Sequence, residues 1–518
     1  MPSGGQSLFS GGINWKSPAW AGELEEKQQC VMLKNLRYNN QFVEQILGTR
    51  KYHGTQIQNN PVTAIMPYYN DQTDAYVNLV ACGDAIYKKD EQANEYSEIK
   101  SALTPSSIFT STMRYDTLYI ASVNDGMKKY LGGNIIEDVG VGSTAPGSFR
   151  VVIYMKEIDR IFGISDNAIL GQITWCDIGQ PEIWDGANVE RFKLKDGERV
   201  EGASILFGKL IIFCTYSIWI YYVSGNEENW RLEQAPTTVG CVAPNTIKQV
   251  GSSIWFLGEA PNLELGVYAF NGSSSVLMTH DIEPMFTMVN RNRLRQACAE
   301  VHSDLYTLSF SSGFQVVNDI SIDLDTINSK SDGTPAIYGP HAFGFVSSCV
   351  LNGRQKNKEF LMGTDDGWVL YENGTTFKST NGIDGSLIQT IFLGRIHNEK
   401  KIDVMKQFSD ISLFFRPRGY FIAKFGYYLS NGSFFNTFDF NNNASWVGFA
   451  GDFNAYFNHL EGTPQMYEFQ QYLGMKARGT SIQVSVINET VNGRIAFDAY
   501  KYNFQEVYET KRMQKYYA

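Results

Sequence analysis

No stretch of this 518-residue chain comes near 18 consecutive apolar residues. The strongest run, Leu210–Val223 (LIIFCTYSIWIYYV), is too short to cross a bilayer and reads as a buried hairpin. Long segments rich in Ala, Glu, Lys and Leu at helical spacing are missing, which argues against long helices. Proline is scarce at 15 residues, and charged residues make up only 19%. The opening MPSGGQSLFSGG has neither a basic nor an apolar leader region, so no secretory signal is expected. The seven cysteines (Cys30, Cys82, Cys176, Cys214, Cys241, Cys298 and Cys349) are odd in number, scattered, and without a C-x-x-C pair. A disulfide framework and a cysteine zinc site are therefore not expected; buried free thiols in a protein made in a reducing cytoplasm fit better. Positive charge is also in deficit. A net charge of −10 argues against a protein that grips nucleic acid through many phosphates, though not against a surface past which DNA slides.

What the chain does have is aromatic residues (14%, with 29 Tyr and 33 Phe) and 47 glycines, a balance that favours strands and tight turns. A mostly β fold follows. One pattern recurs at Tyr76, Asp116, Asp159, Gly208, Ser252, Ser303 and Lys358: a short strand of β-branched and aromatic residues, a turn with Gly, Asn or Asp, and a second such strand. Each unit reads as a hairpin. Their starts lie 40 to 55 residues apart. A hairpin cannot bury its apolar face alone, so this period implies a β-propeller of about seven blades over residues 61–380.

Residues 1–60 are polar, Gly-punctuated and aperiodic, with isolated Trp15 and Trp20. They read as an extended arm that packs along the propeller or onto a neighbouring subunit. From 381 to 518 the pattern changes to strict alternation, as in Ile482, Val484 and Val486, then Asn492-Gly493, then Ile495, Phe497 and Ala499. That predicts a C-terminal antiparallel β-sandwich ending in a frayed tail from Glu509.

Chemistry is sparse. The turn GTDDGWVLY (Gly363–Tyr371) looks like a degenerate Asp-box corner of sialidase propellers, a structural feature away from the catalytic face. A sialidase-like site needs several convergent arginines, and Arg291, Arg293 and Arg295 are the only tight cluster; alternating on a strand they would share one face, but the plainer reading is a solvated strand or loop face. Six histidines stand isolated, and a His280-Asp281 dyad is disfavoured because sequence neighbours rarely face inward together. No nucleophile elbow, P-loop or dinucleotide fingerprint occurs. Neither catalysis, nor a cofactor, nor a metal is expected. Glu259, Glu264, Asp281 and Glu283 form one acidic neighbourhood that could face a lumen or a solvated rim.

The arm, with SGGINWKSPAW (Ser10–Trp20) and LKNLRYNNQFVEQILGTRKYHG (Leu33–Gly54), resembles the start of many bacteriophage tail and neck proteins. The middle, from GASILFGKLIIFCTYSIWIYYVSG (Gly202–Gly225) through GCVAP, WFLGEA and GVYAFNG, is similar to the propeller of the tail hub, nozzle or knob proteins of short-tailed phages. KARGTSIQVSVINETVNGRIAFDAYKYNF (Lys476–Phe504) resembles their final domain, so the likeness spans nearly the whole chain. It implies a structural virion protein with no active site, a homo-oligomeric ring, commonly a hexamer. Such a ring would sit beside an adaptor or portal-side ring and tail fibres, with duplex DNA passing through it unbound and no membrane span. Assembly would occur in the host cytoplasm. The alternatives are a carbohydrate-binding or carbohydrate-cleaving propeller at a baseplate or fibre attachment point, and a scaffold propeller for protein interactions.

Overall fold

The computed structural model describes residues 3–507 apart from isolated positions or pairs and the segments 20–23, 71–74, 141–144, 312–318, 352–358, 374–377, 380–385, 399–403, 419–421, 431–435, 442–466, 474–477 and 489–493. Every recurring hairpin is present, as two adjacent strands flanked by further antiparallel strands. Thr117–Ser122 and Gly126–Tyr130 are one such pair, and Lys209–Cys214 and Ile218–Tyr222 another. A first strand precedes each pair (Thr110–Arg114 before the former) and a short outer strand usually follows it (Ile136–Asp138). The middle strands were legible because they are buried on both faces; the flanking strands are half-exposed or very short.

Among the described residues six of these modules stand as separate antiparallel sheets of four or five strands, arranged as the blades of a propeller. Consecutive sheets share buried clusters. Met66 and Tyr68 pack with Leu118 and Ile120; Tyr119 and Met127 with Phe149 and Ile161; Phe162 and Trp175 with Leu210 and Tyr221; Phe213 with Phe256. The circle closes where Val62, Val80 and Cys82 meet Cys349, Leu361 and Val369. Each such side chain contributes about 1.5–3 kcal/mol on burial. All seven cysteines are buried and unpaired. The module running from Cys298–His302 to Pro335–His341 does not stand apart, because its last strand continues into a nine-stranded sheet.

The continuation is made by the arm. Its strands are β1 (Ser3–Ser7), β2 (Met32–Lys34), β3 (Leu36–Asn39), β4 (Phe42–Gln45) and β5 (Gly48–Lys51). Strand β2 lies between Pro335–His341 and Thr390–His397, while β1 and β4 pair with Arg494–Glu506. Strand β5 is the outermost strand of the last blade, paired with Val369–Asn373 in the register Gly48↔Asn373 and Lys51↔Leu370. Of the packings open to the arm over 1–60, the chain adopts the one along its own propeller, as an intrachain strap whose residues 48–51 complete the last blade. Gly12 allows the strap to pass close to the Cys298–His341 module: φ is +72°, and a Cβ would lie 2.1 Å from the Ile337 carbonyl oxygen.

After Thr390 two sheets share a buried core. Phe392, Ile482, Val484 and Val486 of the nine-stranded sheet meet Phe408, Ile411, Leu413, Tyr500, Tyr502 and Phe504 of a seven-stranded one. Ile482, Val484 and Val486 alternate inward as expected. Among the side chains of Arg494–Glu506 that are described, Ala496, Tyr500, Tyr502 and Phe504 are buried and Ala499 is only half-buried, while those of Ile495 and Phe497 lie outside the described residues. Register shifts against Lys406–Arg418 at Phe408/Asp410 and Phe414/Phe415 explain why strict alternation misleads there. The Asn492-Gly493 turn and the tail from Glu509 lie outside the described residues. No described helix is long and apolar enough to cross a membrane.

His53 joins the strap to the last blade through its neutral form. Its Nδ1 lies 2.5 Å from the Thr55 carbonyl, and its Nε2 accepts the Val369 N–H at 2.9 Å. Burial lowers its pKa to about 4, and burial likewise lowers His302 and His397. A histidine depressed in the folded state contributes fully above the free value near 6.5 and loses that contribution as pH falls toward 4. The expected cost at His53 alone is roughly 3 kcal/mol. Scanning calorimetry from pH 7.5 to 4.5 should show a falling Tm, and His53→Gln, which keeps an acceptor, should flatten that fall.

Candidate functional site

The first strands of the modules surround an axial channel. A cavity of about 420 Å³ is lined by Ile65 and Pro67 from one blade and Lys248 from another, with Glu300, Val301, Ser348, Cys349 and Val350 from the two that lie between. Lys248 Nζ sits 2.8 Å from Glu300 Oε2, to which Ser348 Oγ also donates at 3.1 Å. Burial opposes the charge on Lys248, but the Glu300 carboxylate outweighs it and the pKa rises. A Ser–Lys nucleophile pair needs a neutral lysine, and this one is held charged. Burial raises both Cys298 and Cys349 to about 12, so neither thiol presents a thiolate. The trio braces the channel wall across adjacent modules.

The rim of one face is built from turns and connections. Arg291–Gln296 is a 3-10 helix, so the shared face that alternation on a strand would give does not form. At about three residues per turn, side chains two apart diverge instead of sharing a face. Arg291 pairs with Glu259. Arg293 Nη2 lies 3.6 Å from Asp365 Oδ2. Arg295 Nε is 3.1 Å from the buried Glu201, which also takes Arg199. The arrangement distributes its positive charge among three carboxylates, whereas anchoring one ligand carboxylate requires convergence.

The Asp-Asp-Gly turn is a corner. Thr364 Oγ1 accepts the Trp368 N–H at 3.0 Å and donates to Asp366 at 2.5 Å, while Asp365 Oδ2 accepts from Ser311 at 2.9 Å. Gly367 has φ +82°, and a Cβ would meet the Gln58 carbonyl oxygen at 1.7 Å. Trp368 stacks on His53 with centroids 5.1 Å apart, and Lys51 Nζ lies 3.6 Å from its ring centroid. The corner therefore serves as a dock for the strap.

The four acidic candidates part company. Glu259 faces Arg291 on the rim. Glu264 and Glu283 do come together, joined by His280, with one ligand atom of each within 4.8 Å of the others. Asp281 turns the opposite way and is only 6% exposed, so it faces no lumen. Its Oδ2 accepts from Lys330 Nζ at 2.5 Å and Gln29 Nε2 at 2.6 Å, and its carbonyl accepts the Trp15 and Lys16 N–H groups at 2.7 and 3.0 Å. His280 and Asp281 accordingly form no dyad. Sequence reasoning missed Lys16, Gln29 and Lys330, whose partners lie up to 267 positions away with no local signal to mark them.

No protein-family model matches the chain, and no curated protein does. Among solved structures it is similar to the extracellular domain of a putative hybrid two-component system of B. thetaiotaomicron, at 11% identity and a TM-score of 0.33. The same holds for that of a putative one-component system from the same organism, at 11% identity and 0.34. Each match covers 73% of this chain but only 41% of the other.

Asp281 tests the assignment of roles. Removing one partner of a buried ion pair costs about 3–5 kcal/mol, whereas an exposed pair contributes about 0–1. In urea titrations Asp281→Ala should lower stability by the larger amount and Glu259→Gln by the smaller.

Proposed function

We propose that the chain is a structural virion protein, a subunit of a phage tail nozzle or hub ring through which duplex DNA passes. The observation that carries this reading is the strap. The resemblance implies an arm, a propeller and a final β domain in that order, and the strap ties all three into one body suited to repeat around an axis. In this reading the Cys298–His341 module acts as a seventh blade, supported by the packing of its first strand between Lys248–Val250 and Ser347–Leu351. The two sheets after Thr390 are its terminal sandwich, supported by their common core.

The conduit then lies between subunits. The cavity of about 420 Å³ that four modules line inside one propeller, braced by Lys248 and Glu300, is far too small for a duplex. Heterologous contacts between identical copies close into a ring with a pore. A net charge of −10 per chain repels phosphate and keeps passing DNA from adhering. Negative-stain imaging of the purified protein, alone and mixed with its neighbouring tail proteins, should show rings with an open centre, with negligible DNA retention at physiological salt. A protein that sediments as a monomer under both conditions overturns the proposal.

A further inference from the structure

The strap, the Cys298–His341 module and the last blade meet at a cavity of about 20 Å³. Arg37 reaches it from the strap, His302, Thr307 and Asp323 from the module, and Phe360 and Glu372 from the last blade. The hydrogen-bond chain along its wall fixes one histidine tautomer. Burial opposes the charge on Asp323, but His341, Thr307 and Arg37 together outweigh it and lower the pKa to about 2. As a carboxylate Asp323 only accepts, so the Thr307 hydroxyl, 2.6 Å from Oδ1, commits its single proton there. The contact of Thr307 Oγ1 with His302 Nε2 at 3.4 Å is then one in which the imidazole donates. Burial lowers the His302 pKa and keeps the ring neutral, so its proton sits on Nε2 and Nδ1 presents a lone pair. His302 is only 7% exposed, and among the described residues that lone pair meets no donor. Buried acceptors are costly to leave unmet. A second observation is independent of the histidine. Arg37 Nη1 and Glu372 Oε1 stand 4.0 Å apart, too far for a direct hydrogen bond and close enough for a water to bridge.

We propose that this cavity is a binding site for one water molecule, which donates to His302 Nδ1 and Glu372 Oε1 and accepts from Arg37 Nη1. Two donated bonds and one accepted bond make the three that an internal water typically forms, and the volume suits a single molecule. Among the described residues no three His, Cys, Asp or Glu ligand atoms converge here, so a metal ion would lack its ligand set. The water is a working part of the joint. It ties the strap to the last blade through Arg37 and Glu372, and both to the Cys298–His341 module through His302. It also holds His302 in the tautomer that donates to Thr307, and through Thr307 it supports the Asp323–His341 pair. The site belongs to closure of the circle within one chain and stands whether or not the chain forms a ring.

Two measurements on the full chain test it. A high-resolution crystal structure grown without ammonium salts should show one solvent peak about 3 Å from His302 Nδ1, Arg37 Nη1 and Glu372 Oε1. The same peak should vanish in His302→Phe, whose ring offers no acceptor. Nitrogen NMR of isotope-labelled histidine at neutral pH should find His302 protonated at Nε2, with Nδ1 shifted as a hydrogen-bonded acceptor and a cross-relaxation peak to water. A cavity without solvent density, a direct Arg37–Glu372 hydrogen bond that closes the gap, or a peak that survives His302→Phe overturns the proposal. So does a neutral His302 that carries its proton on Nδ1, a result obtained on the wild type without any variant having to fold.

Discussion

Everything else in this molecule depends on one short ladder, the pairing of Gly48–Lys51 with Val369–Asn373. Blades packed face to face leave two raw edges where the circle would meet, and an unclosed propeller exposes the apolar faces of its terminal sheets. Borrowing the outer strand of the last blade from the start of the chain joins the two ends through backbone hydrogen bonds. His53, Trp368 and Lys51 then stack over the joint, so closure is reinforced by side chains as well as by the ladder.

The strap explains where buried charge is tolerated. Asp281 and Lys330 would be costly inside the protein if either stood alone. They are accommodated because the strap supplies Gln29 and two backbone amides to the same residue, satisfying the carboxylate and its carbonyl together. Similar logic governs the channel, where Lys248, Glu300 and Ser348 satisfy one another across module boundaries. These two polar clusters sit at seams between modules, whereas the buried Thr307, Asp323 and His341 satisfy one another within a single module.

How much of this could be read in the sequence follows from range. The hairpins were legible because strand, turn and strand lie within some twenty residues and the turn chemistry is local. The strap was not, because its strands are three to five residues long and all but Leu36–Asn39 pair with partners hundreds of positions away; Val369 and His53 are 316 apart. Of the acidic candidates, Glu264 and Glu283 do share a neighbourhood, while Asp281 differs from its neighbours only through contacts made by the distant Gln29 and Lys330. The arginine cluster was legible, but whether it lies on a strand or in a loop was not. Alternation alone cannot distinguish a strand from a tight turn of helix six residues long.

The borrowed strand has a consequence for biosynthesis. Residues 48–51 leave the ribosome long before residues 369–373 exist, so this segment waits unpaired until the last blade has been made. Assembly of the circle is therefore a late and slow event, with the waiting segment exposed to proteases and to strand exchange with other nascent copies. Once shut, the same arrangement leaves neither chain end free to peel a blade away. Unravelling must breach an interior seam first, which favours persistence governed by a kinetic barrier over the whole body.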